Sequence, residues 1–79
     1  MSIRATIATV FEQVAREQQR SLAPLWEGLR LSQSGLDSLS FAIVVVRLEG
    51  ALGHDPFANV DRFPTTFGEF VNLYESARG

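Results

Sequence analysis

Hydrophobic residues recur every three or four positions near the start of the chain, a spacing typical of an amphipathic helix. The apolar stripe consists of Ile3, Ile7, Val10, Phe11 and Val14. Ser2 stands where an N-cap is needed. The solvent-facing side is supplied by Glu12, Gln13, Arg16, Glu17, Gln19 and Arg20. The pattern predicts a first helix over residues 2–20.

Residues 21–37 combine the loop-forming residues Ser, Pro and Gly with regularly placed apolar side chains. These apolar residues are Leu22, Leu25, Trp26, Leu29, Leu31 and Leu36. A long loop anchored in this way is more often structured or functional than mobile. We expect it to pack against the helices through these anchors and to form a short turn of helix over Pro24–Gly28.

The most apolar segment is "SLSFAIVVVRLEGALG", residues 38–53. Its β-branched residues would suit a buried strand, but no second strand-like run exists for it to pair with. Asp37 or Ser38 can cap the start of a helix here, and Gly53 can end it. The context therefore predicts a buried central helix.

A second loop, residues 54–64, is predicted to hold a single helical turn over Phe57–Asp61, opened by Asp55 or Pro56. Thr66 and Glu69 then match the S/T-x-x-E capping box of a helix N-terminus. The stripe that follows consists of Phe67, Phe70, Val71 and Tyr74. Three main helices and one short helix predict an all-α fold, an irregular four-helix bundle.

Composition limits the size and stability of this fold. A chain of 79 residues is one domain, residues 1–79, and buries only about 60% of its unfolded surface. The hydrophobic content of 46% supplies a core, and the absence of cysteine excludes disulfides and thiolate sites. The predicted stability therefore rests on packing alone.

Charge and hydropathy exclude several classes of partner. The chain has seven Arg, no Lys and nine acidic residues, and the arginines are scattered rather than clustered. We therefore expect no binding to nucleic acid, which needs a basic face. The longest apolar run, Phe41–Val46, is far too short for a membrane span, and the N-terminus lacks the features of a signal peptide. We expect a cytoplasmic protein.

The residues that suggest catalysis do not form a catalytic set. His54 is the only histidine, and with Asp55 beside it the ligands are too few for a zinc site. A serine hydrolase built on Ser38 and His54 would need an oxyanion hole and a substrate pocket in a chain that barely builds one core. We expect His54 to be a solvated loop residue, and we predict no metal site and no catalytic residue.

The order of these features is similar to that of a known family. A long first helix and a leucine-anchored loop lead to "GLDSL" at the start of the second helix, "LEGALG" closes that helix, and "FPTTFGEF" precedes the last one. This arrangement resembles an acyl carrier protein or a related peptidyl carrier domain over essentially the whole chain. The resemblance implies a carrier that holds a thioester on a phosphopantetheine arm and has no catalytic activity of its own.

The resemblance implies roles for five residues around this motif. Ser38 would be the attachment point of 4′-phosphopantetheine, joined through a phosphodiester after its oxygen attacks the β-phosphate of coenzyme A. Asp37 would be the acidic neighbour that helps the modifying transferase bind magnesium. Gly35 and Leu36 would form the turn that presents the serine, and Leu39 would dock into partner enzymes.

The second helix departs from the fatty-acid-synthesis carriers of this family, which carry several acidic residues there. Only one acidic residue stands in this helix. Leu39, Ile43 and Val46 fall at helical spacing beside Ser38, with Ser40 and Arg47 flanking them. They are either an exposed docking strip or part of the core. Partners that read an acidic helix would bind poorly, which favours a specialised carrier over a housekeeping one.

The implied partners are a phosphopantetheinyl transferase, an acyl- or aminoacyl-loading ligase, and a downstream acyltransferase or synthase, met by a free-standing monomer. An aminoacyl or peptidyl carrier is the alternative within the family. An unmodified helical interaction module is the alternative outside it, with Ser38 a mere helix cap. We expect the aromatic residues Trp26, Phe57, Phe63, Phe67 and Phe70 to be core and loop anchors, and some to line a cavity beside the second helix that receives cargo.

Overall fold

The protein is helical over most of its length in the computed structural model. The residues that the structure describes are 2–53, 55–59 and 62–77. The α-helices are α1 (Ile3–Glu17), α2 (Ser38–Leu52) and α3 (Phe67–Ala77). Among the described residues there is no strand, and one isolated bridge joins Arg30 to Thr66. The predicted all-α bundle is confirmed, although its fourth, short helix is only a 3-10 turn.

The core lies where the apolar faces of the three helices meet. Phe11 stands between Phe67 and Phe70 and makes an edge-to-face contact with each, with ring centroids 5.3 Å apart. Such aromatic pairs add about 1 kcal/mol each beyond the area they bury. The large apolar side chains that are fully buried are Ile7, Phe11, Val14, Val44, Leu48, Phe67, Phe70 and Tyr74.

The predicted caps form as the sequence indicates. The Ser2 hydroxyl accepts a hydrogen bond of 3.0 Å from the backbone N–H three residues on. Thr66 does the same for the N–H of Glu69 at 3.2 Å, and the Glu69 carboxylate accepts from the N–H of Thr65 at 2.9 Å. Gly53 ends α2 with φ +81°, a conformation that favours glycine. These bonds satisfy amides that a helix terminus leaves without partners.

The first helix ends three residues earlier than predicted, at Glu17. Gln19 adopts φ +57°, and its N–H donates to the Arg16 carbonyl at 3.1 Å. The N–H of Arg20 donates to the Ala15 carbonyl at 2.8 Å. This pair of bonds is the Schellman motif, which usually places glycine at the left-handed position. Because glutamine occupies that position here, the helix end gave no sequence signal.

The loop between α1 and α2 provides further hydrogen-bond acceptors for the first amides of α3. Its Leu29 carbonyl accepts from the N–H of Phe67 at 2.8 Å, and its Glu27 carbonyl accepts from the N–H of Gly68 at 3.0 Å. The approach is close enough that a Cβ at Gly68 would lie 2.9 Å from the Glu27 oxygen. The loop is therefore part of the folded body, as its leucines predict.

Two expectations for this loop are wrong. Pro24–Gly28 forms no helical turn; instead the N–H of Leu29 bonds to the Trp26 carbonyl at 3.0 Å in a tight turn, and a 3-10 turn follows at Leu31–Gln33. Trp26 is not a core residue, since 61% of it is exposed. Its indole lies over the backbone of Gly28, where the missing side chain leaves room for the ring.

The connection between α2 and α3 contains the predicted single turn, shifted by one residue at its start. It is the 3-10 turn Pro56–Asn59 rather than Phe57–Asp61, and the last two residues of the predicted turn lie outside the described residues. The Asp55 carboxylate opens it by accepting from the N–H of Phe57 at 2.9 Å. The prediction for His54 also falls outside the described residues.

The apolar run of α2 is helical, so the strand alternative is excluded. Val44 and Leu48 lie four residues apart on the same face and are fully buried, as helical periodicity requires. Among the described helices, none combines the length and apolar character needed to traverse a bilayer.

Candidate functional site

At the start of α2, the residue that caps the helix is not the serine but the residue before it. Asp37 is the N-cap, and its Oδ1 accepts from the N–H of Ser40 at 2.8 Å. Ser38 is the first helical residue, its side chain is exposed, and its hydroxyl bonds to no described residue. The cap is therefore Asp37, and the fold does not use the Ser38 hydroxyl.

The turn before α2 contains Gly35 and Leu36, and it requires the glycine and is anchored by the leucine. Gly35 has φ +99°, and a Cβ there would lie 2.0 Å from the Ser21 carbonyl oxygen. Leu36 is buried, and its N–H donates to the Ser34 hydroxyl at 3.3 Å. That hydroxyl is buried and donates in turn to the Leu31 carbonyl at 2.7 Å. The turn thus has little freedom beside the exposed serine.

An arginine from the end of α1 contacts this turn. The Arg20 Nε donates to the Gly35 carbonyl at 2.7 Å, and its Nη1 lies 3.4 Å from Asp37 Oδ2. The pKa of Asp37 is lowered, chiefly because the Ser40 backbone N–H hydrogen-bonds to the carboxylate, with a further contribution from the charge of Arg20. Asp37 therefore stays ionised beside Ser38.

The apolar strip predicted on α2 is exposed at two of its three positions. Leu39 is 62% exposed and Val46 is 67% exposed. Ile43 is half-buried and packs against the core, because it lies on the side of the helix that turns inward. The flanking Ser40 is fully buried. The uncovered face therefore contains Leu39 and Val46, and Ile43 and Ser40 turn away from it.

Arg47 is engaged within the chain. It binds Glu17 of α1 through two hydrogen bonds, one of them 2.8 Å from Nη1 to Oε2. This pair raises the pKa of Arg47 and lowers that of Glu17, in each case chiefly through the side-chain hydrogen bond. Because its charge is balanced by Glu17, Arg47 offers a partner little net charge.

An open apolar groove of about 960 Å³ adjoins Ser38. It runs between α2 and the connection to α3, where the predicted cavity was expected. Phe63 is 44% exposed along it and stacks on Phe57, with ring centroids 5.2 Å apart. Phe63 is therefore a partly exposed residue rather than a buried anchor. The lining residues are Leu36, Asp37, Ser38, Phe41, Ala42, Val45, Val46, Phe57, Arg62 and Phe63.

The described residues contain no cluster of three or more histidine, cysteine, aspartate or glutamate side chains able to hold a metal ion. Within the same residues the structure brings together Gly35, Leu36, Asp37 and Ser38, and places Leu39 and Val46 on the adjoining face. Sequence reasoning missed Arg20, whose partner Gly35 is fifteen residues away. The only local signal for such a contact would have been an arginine just past a helix end.

No model of a known protein family matches the chain. Neither the curated proteins nor the solved structures contain a significant match.

Proposed function

We propose that this chain is a carrier protein that is modified with 4′-phosphopantetheine on Ser38. The observation that carries the proposal is that Asp37 and Ser38 have different roles at the start of α2. Asp37 caps the helix, whereas Ser38 is exposed and its hydroxyl bonds to no described residue. The fold does not need the Ser38 hydroxyl, and Ser38 follows a turn that requires glycine. Such a serine is accessible to an enzyme that must reach one hydroxyl.

The local environment fits the group that would be attached. In the modification, Ser38 Oγ forms a bond to the β-phosphorus of coenzyme A as the bond between its two linked phosphates breaks. Adenosine 3′,5′-bisphosphate leaves with the electron pair, and a base of the transferase takes the Oγ proton. The first-turn amides and the positive end of the α2 dipole favour the resulting phosphodiester charge. The arm supplies a terminal thiol that holds cargo as a thioester.

The face beside Ser38 supports a specialised carrier rather than one of housekeeping fatty-acid synthesis. Leu39 and Val46 are exposed, and Arg47 is neutralised by Glu17. A docking enzyme would therefore meet an apolar, nearly neutral surface and not the acidic helix that basic patches bind. The partners we propose are a transferase, an acyl- or aminoacyl-loading ligase, and an acyltransferase or synthase that recognise such a surface.

Intact mass spectrometry tests the proposal directly. The purified protein is incubated with coenzyme A, Mg²⁺ and a broad-specificity phosphopantetheinyl transferase. We expect the mass of one phosphopantetheine group to be gained by the wild type and by Ser32→Ala, which removes another exposed serine, but not by Ser38→Ala. A wild-type chain that stays folded and unmodified, beside a known carrier that is modified, would contradict the proposal.

The second candidate is an unmodified helical interaction module. The exposure of Leu39, Val46 and Trp26 favours it, because large apolar residues at a surface often mark a binding face. The two candidates differ in their response to one change. Ser38→Ala abolishes the function of a carrier, whereas binding by an interaction module changes little when one exposed hydroxyl is removed.

A further inference from the structure

The contact between Arg20 and the turn before α2 joins two parts of the chain that are distant in sequence. Its Nε–H···O bond to Gly35 is 2.7 Å long, and the donor is charged, which makes such bonds stronger than neutral ones. The same guanidinium faces Asp37 Oδ2 at 3.4 Å. Because Asp37 Oδ1 already caps α2, the two oxygens of this carboxylate are oriented by different groups.

Both segments joined by this contact have a constrained backbone. Gln19 holds a left-handed conformation that a non-glycine residue rarely adopts, and Arg20 follows it directly. Such strain persists where the surroundings compensate for it, and it often marks a functional position. On the other side, Gly35 packs its backbone against the Ser21 carbonyl, so closely that a Cβ would lie 2.0 Å from it.

We propose that Arg20 is a positioning residue for the modification of Ser38. It ties the Gly35–Asp37 turn to the end of α1 and so fixes the first turn of α2, on which Ser38 is presented. This inference rests on the proposed function, because it assigns Arg20 a role toward the same hydroxyl. Arg20 itself does not contact the reacting atoms.

The role predicts a particular kinetic signature. Without Arg20 the turn would occupy its presenting conformation for a smaller fraction of the time. The apparent affinity of the transferase for the carrier falls by that fraction, while the step that follows binding is unchanged. Loss of one exposed charge-assisted contact shifts the equilibrium of the turn by at most about fivefold, which sets the upper limit of the change in KM. We therefore expect a higher KM for the carrier protein and an unaltered kcat.

The experiment compares Arg20→Gln and Arg20→Lys with a matched control, Arg4→Gln. The control removes a similarly exposed arginine that also bonds a second segment, through Glu27, but lies away from the turn and from the exposed face of α2. Initial rates of mass gain are measured against carrier concentration, with coenzyme A, Mg²⁺ and the transferase held constant. Amide exchange of the 35–37 backbone in the unmodified protein gives a readout that does not depend on modification.

Support for the inference is a KM raised by up to about fivefold in Arg20→Gln, partly restored in Arg20→Lys and unchanged in Arg4→Gln, with faster exchange at residues 35–37 in Arg20→Gln but not in Arg4→Gln. If wild type, Arg20→Gln and Arg4→Gln are modified with the same KM, the inference is overturned and the proposed function stands. If the wild-type chain gains no mass, the proposed function fails and the inference fails with it.

Discussion

Replacing Gly50 with alanine should stabilise the protein. Gly50 lies in the last turn of α2, is exposed, and has no atom within 4 Å of the point where a Cβ would be added. Glycine inside a helix costs about 0.5–1 kcal/mol relative to alanine, because it loses more backbone entropy on folding. With no clash to offset that gain, we expect the free energy of unfolding to rise by about 0.7 kcal/mol.

Gly53 provides the matched control for this change. It also has open space around it, but its φ of +81° is unfavourable for any residue with a Cβ. Gly53→Ala should therefore lower the free energy of unfolding by about 1 kcal/mol. The two substitutions add the same methyl group three residues apart and are expected to act in opposite directions.

Urea and thermal unfolding followed by circular dichroism measure both effects. For a domain of this size, a change of 0.7 kcal/mol corresponds to about 4 °C in Tm and about 0.5 M in the urea midpoint. Modification of Ser38 should be unaffected, because Gly50 lies about 18 Å further along the helix. A Gly50→Ala variant no more stable than wild type would refute the reasoning, since the end of α2 would then not be an exposed, regular helix.

Three further changes test the turn and the helix ends. Gly35→Ala should lower the free energy of unfolding, measured in urea, by about 3 kcal/mol, because it combines a left-handed φ with a clash against Ser21. An unchanged urea midpoint would mean that the two segments do not touch. Gln19→Gly should raise the free energy of unfolding by about 1 kcal/mol by relieving the left-handed strain, and a loss would show that the glutamine side chain matters more. The folded-state pKa of Asp37 lies below 3.8, so its stabilisation is present above that value and is lost as the pH falls through the lower folded pKa. The difference in Tm between wild type and Asp37→Asn should therefore be constant above about pH 5 and shrink in acid, whereas a pH-independent difference would contradict the role of the charge.

The three helices and their caps were predictable because their signals are local. Ser2, Thr66 and Gly53 each act on a backbone group within the same helix end, so a short window of sequence contains both partners. The end of α1 escaped prediction for the opposite reason. The residue that takes the left-handed position there is Gln19, and nothing in its identity indicates a stop.

The faces of α2 were harder to predict than its existence. Ten of the fifteen positions of this helix are apolar, so periodicity alone does not separate the inner face from the outer one. The outcome even reverses the usual order, since Ser40 is fully buried while Leu39 beside it is 62% exposed. Long-range packing against α1 and α3 decides which side turns inward, and that information is spread over the whole chain. Identifying the exposed face of α2 therefore required a structure, whereas the position of Ser38 at the start of the helix was predictable from the sequence.

The backbone bonds from Glu27 and Leu29 to the start of α3 have a consequence for the order of folding. They join segments that are far apart in the chain, and contacts of high sequence separation form late because a large loop must close first. A nascent chain that stops before α3 therefore lacks the partners that order this part of the loop. The Gly35 turn at the opposite end of the same loop contacts Arg20 and Ser21 instead, both of which precede it in the chain. The two ends of this one loop are therefore expected to become ordered at different stages of folding.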